Sequence, residues 1–351
     1  MQISVETFTV HKRFALTISR GTTAQTTNIW VRVQAQGIEG WGEASPFSVI
    51  REGRKDTNAL LQELEGIIPT LEKYNPWQRQ EIEAVLSEAK VSSSIRAAID
   101  TSLHDWMGKR AGLPLWRLWG LDRQRIGPIS VTIGISSPQA AQERVRNWQE
   151  LMGANVLKIK LGSPNGIEAD QAMLLAIREV APNAELTVDA NGGWNLHDAI
   201  KMSEWLANQG VKYIEQPLAV GEEGQLAALS QKSPLPIFVD ESCFTSRDIP
   251  KLAESVQGIN IKIMKAGGLS EALRIIAIAK ACGLQIMFGC YSDSSLANTA
   301  MAHLSPLADY LDLDSHLNLV DDPFSGAMLE NGRLLPTELP GLGVKYRASN
   351  E

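Results

Sequence analysis

Between about Ile129 and Tyr310 the chain repeats one unit, a short apolar run followed by a segment with helical spacing. The runs start near Val131, Val156, Leu186, Tyr213, Ile237, Ile259, Leu284 and Tyr310. Helical spacing follows over residues 137–151, 167–180, 196–208, 222–229, 247–255, 270–282 and 294–307. Eight strands at intervals of about 25 residues are what a (β/α) repeat predicts. A doubly wound open sheet gives the same alternation, but no glycine-rich phosphate fingerprint follows the first run. Eight units favour closure. The expected fold class is therefore α/β, a (β/α)8-type (modified TIM) barrel over residues 126–330.

The pattern ahead of the repeat is different. Residues 2–44 read as three strands, with runs at Val10 to Phe14, Asn28 to Val33 and Ile38 to Ala44, and a polar loop over residues 19–23. Helical spacing follows at 57–68, 76–87 and 93–113. The last of these places Ile95, Ala98, Ile99, Leu103 and Trp106 on one face. Residues 1–125 are thus expected to form an N-terminal α+β capping domain. The stretch 331–351, with Leu334-Leu335-Pro336 and Pro340-Gly341-Leu342-Gly343, reads as an extended tail returning to that domain.

Two lysines sit two apart in Val156-Leu157-Lys158-Ile159-Lys160-Leu161-Gly162. A period of two points both to one face of a strand. That strand is expected to be buried on both sides, where an ammonium is costly without acidic neighbours. Later strands supply them: Asp189 in Val188-Asp189-Ala190-Asn191, Glu215 in Ile214-Glu215-Gln216-Pro217, and Asp240 in Val239-Asp240-Glu241. A further lysine, Lys262, ends the run Ile259-Asn260-Ile261-Lys262. The C-terminal ends of barrel strands converge on one mouth, so this order of base, three acids and base describes a site.

Three carboxylates held together repel one another unless a cation joins them. An all-oxygen set without His or Cys points to a hard ion, and room for water and substrate suits Mg²⁺ better than Ca²⁺. Lysines on the second and sixth barrel strands approach a bound molecule from opposite sides. The chemistry that follows is proton abstraction α to a carboxylate, with the cation stabilising an enediolate.

Composition narrows the alternatives. With 33 Lys and Arg against 40 Asp and Glu the formal net charge is −7, which offers no basic footprint for nucleic acid. Three scattered cysteines form neither a disulfide framework nor a zinc ribbon. No apolar run is long enough to span a membrane, and the first residues read as a strand rather than a leader, so a cytoplasmic enzyme is expected. The broad helical faces make a homo-oligomer the expected assembly.

These motifs, together with Asn260-Ile261-Lys262-Ile263-Met264-Lys265-Ala266-Gly267-Gly268, resemble the muconate-lactonising subgroup of the enolase superfamily over essentially the whole chain. The superfamily's pairing of a Lys base with Mg²⁺ is a known example of tuned acid–base chemistry. The resemblance implies that Asp189, Glu215 and Asp240 bind Mg²⁺ and that Lys160 and Lys262 are the two acid/base catalysts. It also implies that Lys158 assists Lys160 and meets the substrate carboxylate.

Within the subgroup, Leu311-Asp312-Leu313-Asp314-Ser315-His316 looks like the Asp-x-Asp of dipeptide epimerases, where Asp312 and Asp314 would hold the substrate's α-ammonium. The stretch Gly289-Cys290-Tyr291-Ser292-Asp293-Ser294 resembles their seventh-strand segment, departing from it at Tyr291 and Asp293, and Cys290 and Ser292 would line the substrate. Thr132 falls where a substrate contact is expected. In this family specificity comes from capping-domain loops, here residues 17–23 and 46–53. Arg20 aligns with the arginine that pairs with a glutamate side chain in L-Ala-D/L-Glu epimerases, and Arg51 and Arg54 are alternative partners for an acidic group. His104 reads as a core or interface histidine. His316 either orients the Asp-x-Asp or is structural.

The resemblance implies an isomerase, a Mg²⁺-dependent dipeptide epimerase acting on the α-proton of the C-terminal residue of L-Ala-L-Glu or a related dipeptide. Its rivals are a cycloisomerase or an N-acylamino acid racemase of the same superfamily, and a barrel that binds a small molecule without catalysis.

Overall fold

A computed structural model describes residues 1–47 and 55–347. Three antiparallel strands come first, β1 (Gln2–Ile18), β2 (Gly21–Ala35) and β3 (Ile38–Ala44). β1 and β2 are much longer than the sequence pattern suggests. They pair from Gln2 opposite Gln34 to Ile18 opposite Gly21, with a register break between His11 and Leu16. The expected loop at 17–23 is therefore a hairpin tip of only two residues, Ser19 and Arg20. Polar threonines hid the strand because a hairpin held over another domain needs no apolar alternation on its outer face.

Three helices back this sheet: α1 (Thr57–Leu71), α2 (Arg79–Glu88) and α3 (Ser93–Ala111). Asp56 caps α1 by accepting from the Ala59 amide at 2.9 Å. Ile29, Val31 and Val33 alternate inward from β2 against Leu64, Ile95, Ile99 and Leu103. β3 lies directly on α3, and a Cβ at Gly40 or Gly42 would run into the carbonyls of Ser102 and Ala98.

Eight parallel strands follow in sequence order: β4 (Val131–Ile133), β5 (Val156–Lys160), β6 (Glu185–Asp189), β7 (Val211–Glu215), β8 (Ile237–Val239), β9 (Gly258–Ile261), β10 (Gln285–Phe288) and β11 (Tyr310–Leu311). A parallel bridge between Ile129 and Leu311 joins the first strand to the last and closes the barrel. Tyr213, Phe238 and Met287 pack inside it against Tyr310. The helical segment expected at 247–255 shrinks to Ile249–Leu252, since Pro250 fits only a first turn. The segment at 294–307 stops at Ala302 and continues as a 3-10 turn carrying Pro306. The segment at 222–229 splits into a 3-10 turn, Glu223–Gln225, and a helix, Leu226–Lys232.

The chain then runs back to the first sheet. Phe324–Ser325 pairs with Lys345–Tyr346, Tyr346 stacks on Trp30 at 5.1 Å, and the Leu342 amide donates to Asp105. No helix among the described residues is long and apolar enough to cross a membrane.

Candidate active site

Strand register brings the charged series together. Lys160 at the end of β5 lies opposite Asp189 at the end of β6, which lies opposite Glu215 at the end of β7. Asp240 and Lys262 each follow the last residue of β8 and β9. All five side chains are buried or nearly so.

Ammonium groups meet every carboxylate. Lys160 Nζ donates to Asp189 Oδ2 at 2.6 Å, and Lys262 Nζ lies 2.7 Å from Asp240 Oδ2. Lys158 Nζ sits 2.7 Å from Asp312 Oδ2, 2.6 Å from Glu215 Oε2 and 3.3 Å from Asp189 Oδ2. It is 0 % exposed and lines neither cavity of the mouth. Lys158 thus links the two acidic halves of the site, Asp189 and Glu215 on one side and Asp312 on the other.

Sequence reading assigned no role to Lys265, three residues after Lys262. A short helix, Ile263–Ala266, turns it back so that its Nζ donates to Asp240 Oδ1 at 2.5 Å and to Asn260 O at 2.9 Å. Asn260 Nδ2 in turn donates to Glu215 Oε1 at 2.7 Å, and the Asn191 amide donates to Asp189 Oδ1 at 2.8 Å. Gln216 Oε1 accepts from the Asp240 and Ser242 amides, tying the turn after β7 to the next strand end. The signal for these was their place inside the motifs, but spacing alone does not reveal which side chain they grip.

Electrostatics follow from burial and pairing. Burial and the neighbouring Asp189 and Asp240 push Glu215 up to about 7. Burial works against the charge of Asp189 as well, yet Lys160 and Lys158 hold it at about 2. Burial opposes the charge on Lys262, but Asp240 raises it well above the usual lysine range. Three carboxylates, oxygen donors only, suit a hard divalent cation. Among the described residues no three such side chains already surround one point, because the lysines stand against them. Asp189, Glu215 and Asp240 are the residues that fit a cation, which would replace ammonium charge with its own.

The Asp-x-Asp closes the other side. Asp312 Oδ1 accepts from Ser130 Oγ at 3.1 Å and from Thr132 Oγ1 at 3.3 Å, while Asp314 Oδ2 accepts from the Thr132 amide at 2.7 Å. Burial and Asp312 raise Asp314 to about 6, whereas Lys158 lowers Asp312 against the effect of burial. Cys290 Sγ donates to the Asp312 carbonyl at 3.2 Å, and burial pushes the thiol up, which favours the protonated form. His316 bonds to Asn298 at 3.1 Å rather than to either aspartate, and His104 packs beside Asp100 far from the mouth.

Above these groups lies a cavity of about 330 Å³, lined by Leu16, Ile18, Phe47, Tyr291, Lys160 and Lys262 among others. Lys262 Nζ sits 4.4 Å over the Tyr291 ring, which stacks on Phe47 at 4.6 Å. Cys290 and Ser292 also line it, and the Ser292 carbonyl accepts from Asn28 of β2. Arg20 reaches the mouth but is engaged, donating to Glu241 Oε1 at 2.6 Å and to Asn191 O at 2.9 Å. Arg51 and Arg54 lie outside the described residues.

Residues 2–120 match the family model described as mandelate racemase / muconate lactonizing enzyme, N-terminal domain, and residues 140–350 that described as enolase C-terminal domain-like. The chain is 46% identical over 348 residues to a hydrophobic dipeptide epimerase of Roseobacter litoralis, covering 98% of both proteins. It is 44% identical over 346 residues to a protein of that same name from a Flavobacteria bacterium, again covering 98% of each. Among solved structures, the dipeptide epimerase of Enterococcus faecalis complexed with Mg and L-Leu-L-Tyr superposes with a TM-score of 0.91, at 31% identity over 98% of this chain and 99% of that one.

Proposed function

The chain belongs to the mandelate racemase / muconate lactonizing enzyme family of the enolase superfamily, and from that premise we propose that it epimerises dipeptides whose C-terminal residue is hydrophobic. It is a Mg²⁺-dependent isomerase. The observation that carries the reaction is the placement of Lys160 and Lys262 at the ends of β5 and β9, on two sides of one carboxylate cluster and both lining one cavity.

Asp189, Glu215 and Asp240 would hold the cation, which when bound would supply positive charge to stabilise the enediolate. Asp312 and Asp314 accept the α-ammonium, with Thr132 fixing both carboxylates. One lysine removes the proton from the Cα of the C-terminal residue, and the other returns a proton to the opposite face. Cα leaves with inverted configuration and every bond otherwise intact. Lys158 and Lys265 pair with the buried carboxylates and hold them in place.

A hydrophobic C-terminal residue is favoured by Leu16, Ile18 and Phe47 in the cavity wall. Two of the basic groups that could serve a glutamate side chain are engaged, Arg20 with Glu241 and Lys55 with Glu63 at 2.7 Å, and the third, Lys12, lies where the cavity meets a second, smaller chamber. The test is ¹H NMR of α-proton exchange in D₂O with Mg²⁺, comparing L-Ala-L-Leu, L-Ala-L-Glu and N-acetyl-L-Leu. Exchange with epimerised L-Ala-L-Leu leading, lost in Lys160→Ala and in Lys262→Ala, supports the reading. Turnover of the N-acylated substrate with no dipeptide exchange would replace it by the racemase. Leu151 and Leu175, exposed on neighbouring barrel helices, support a homo-oligomer, which sedimentation equilibrium would reveal.

A further inference from the structure

Beside the large cavity lies a smaller chamber of about 40 Å³, bounded by Asp312 and Asp314 and, from other elements, by Lys12, Phe14 and Arg144. Alternation along β1 turns Lys12, Phe14, Leu16 and Ile18 towards the barrel mouth. The two residues furthest along, Leu16 and Ile18, line the large cavity, and Lys12 borders both chambers.

Lys12 differs from the other cations of the mouth. Lys160, Lys262, Arg20 and Lys55 each have a carboxylate partner. The Lys12 ammonium makes no ion pair or hydrogen bond with any described residue; burial lowers its pKa, and attraction from Cys290, Asp314 and Asp293 offsets only part of this. Arg144 lies over the Phe14 ring at 4.0 Å, likewise without an ion pair among the described residues. Two desolvated, unpaired cations facing one small chamber are an unfavourable arrangement that an anion in that chamber relieves.

We propose that Lys12, together with Arg144, selects dipeptides whose N-terminal residue carries a side-chain carboxylate, Asp or Glu. The proposal rests on the reading that Asp312 and Asp314 hold the α-ammonium. The side chain on that same carbon then leaves within one or two bonds of the two aspartates, in the chamber that Lys12 and Arg144 border. Its volume, room for roughly three water-sized groups, admits a carboxylate on a short stem. Asp312 and Asp314 bind the ammonium while the two cations bind the carboxylate, so the chamber reads both charges of an acidic first residue. Combined with the apolar wall for the second residue, the substrate class becomes acidic–hydrophobic dipeptides.

The experiment compares kcat/KM for L-Glu-L-Leu against its neutral isostere L-Gln-L-Leu, and L-Asp-L-Leu against L-Asn-L-Leu, with L-Ala-L-Leu as reference. A charge-assisted hydrogen bond from Lys12 should favour the acid by about tenfold or more in the wild type. Lys12→Met should bring the acid-to-amide ratio to about one, Lys12→Arg should keep the preference for the acid, and Arg144→Gln should reduce it. A wild-type ratio of one or below overturns the proposal, as does a ratio unchanged in Lys12→Met. Should Lys12→Met fail to fold, the wild-type ratio and Arg144→Gln decide. Turnover of L-Ala-L-Leu with neither acidic dipeptide accepted overturns this inference alone. Absence of exchange with every dipeptide overturns the epimerase reading, and this one with it.

Discussion

Replacing Lys265 by methionine isolates what the buried counter-ions contribute. The substitution keeps the side chain's length and volume and removes its ammonium. In the wild type that ammonium donates to Asp240 Oδ1, to the Asp240 carbonyl and to the Asn260 carbonyl, and the residue is 2 % exposed. Removing one partner of a buried pair costs about 3–5 kcal/mol, because the other charge stays behind without compensation. Lys262 remains 2.7 Å from the second oxygen of Asp240, so the lower end, about 3 kcal/mol, is the expected loss. Guanidinium unfolding followed by tryptophan fluorescence, in EDTA and then in Mg²⁺, is the assay. The gap between Lys265→Met and wild type should narrow in Mg²⁺, since a cation beside Asp240 restores part of the missing charge. Lys201→Met is the control: its contact with Glu168 is 3.8 Å long and mostly exposed, so its effect should stay within about 0.5 kcal/mol. A loss below about 1 kcal/mol for Lys265→Met in EDTA would refute the argument that this lysine offsets a buried charge.

Saturating Mg²⁺ should raise the wild-type unfolding free energy by about 2.7 kcal/mol at a hundred times its Kd, as read in the same titration, and Asp189→Asn should abolish most of that gain. His303 is wholly buried, accepts from the Trp116 amide at 3.2 Å and lies 3.0 Å from the Leu342 carbonyl; burial lowers its pKa to about 4. A depressed histidine contributes stability that is present above its ordinary 6.5 and lost as pH falls through 4. Stability curves at pH 7 and pH 4 should therefore differ by about 3 kcal/mol more in the wild type than in His303→Gln. Gly289→Ala would place a Cβ 2.7 Å from the Asn260 amide group and 2.9 Å from Lys262 Cε. It should destabilise by about 1–3 kcal/mol and lower kcat for α-proton exchange more than it raises KM; an unchanged kcat would show that Lys262 tolerates the shift.

Much of this protein is written locally. The start of each barrel strand falls within two residues of where the apolar runs begin, because a strand buried on both faces must be apolar throughout and the intervening helices must alternate with a period of 3.6. Lys160, Asp189, Glu215, Asp240 and Lys262 were legible for the same reason: each interrupts or ends an apolar run, and in a closed barrel such ends meet. What the sequence could not disclose is which charge grips which. Lys158 reaches Asp312 across 154 residues of chain, a pairing that no local pattern announces. Lys265 became a partner of Asp240 only through the turn of a four-residue helix. The long hairpin of β1 and β2 was hidden by threonines, and with it the reason Lys12, Leu16 and Ile18 face the cavity while Arg20 is tied to Glu241. Periodicity and residue type therefore determined the barrel, the strand ends and the chemistry they carry, since those are properties of neighbours along the chain. The tertiary structure alone decided the ion pairing, the walls of the cavity and its unpaired cations, since those depend on distances through space between segments that the sequence keeps far apart.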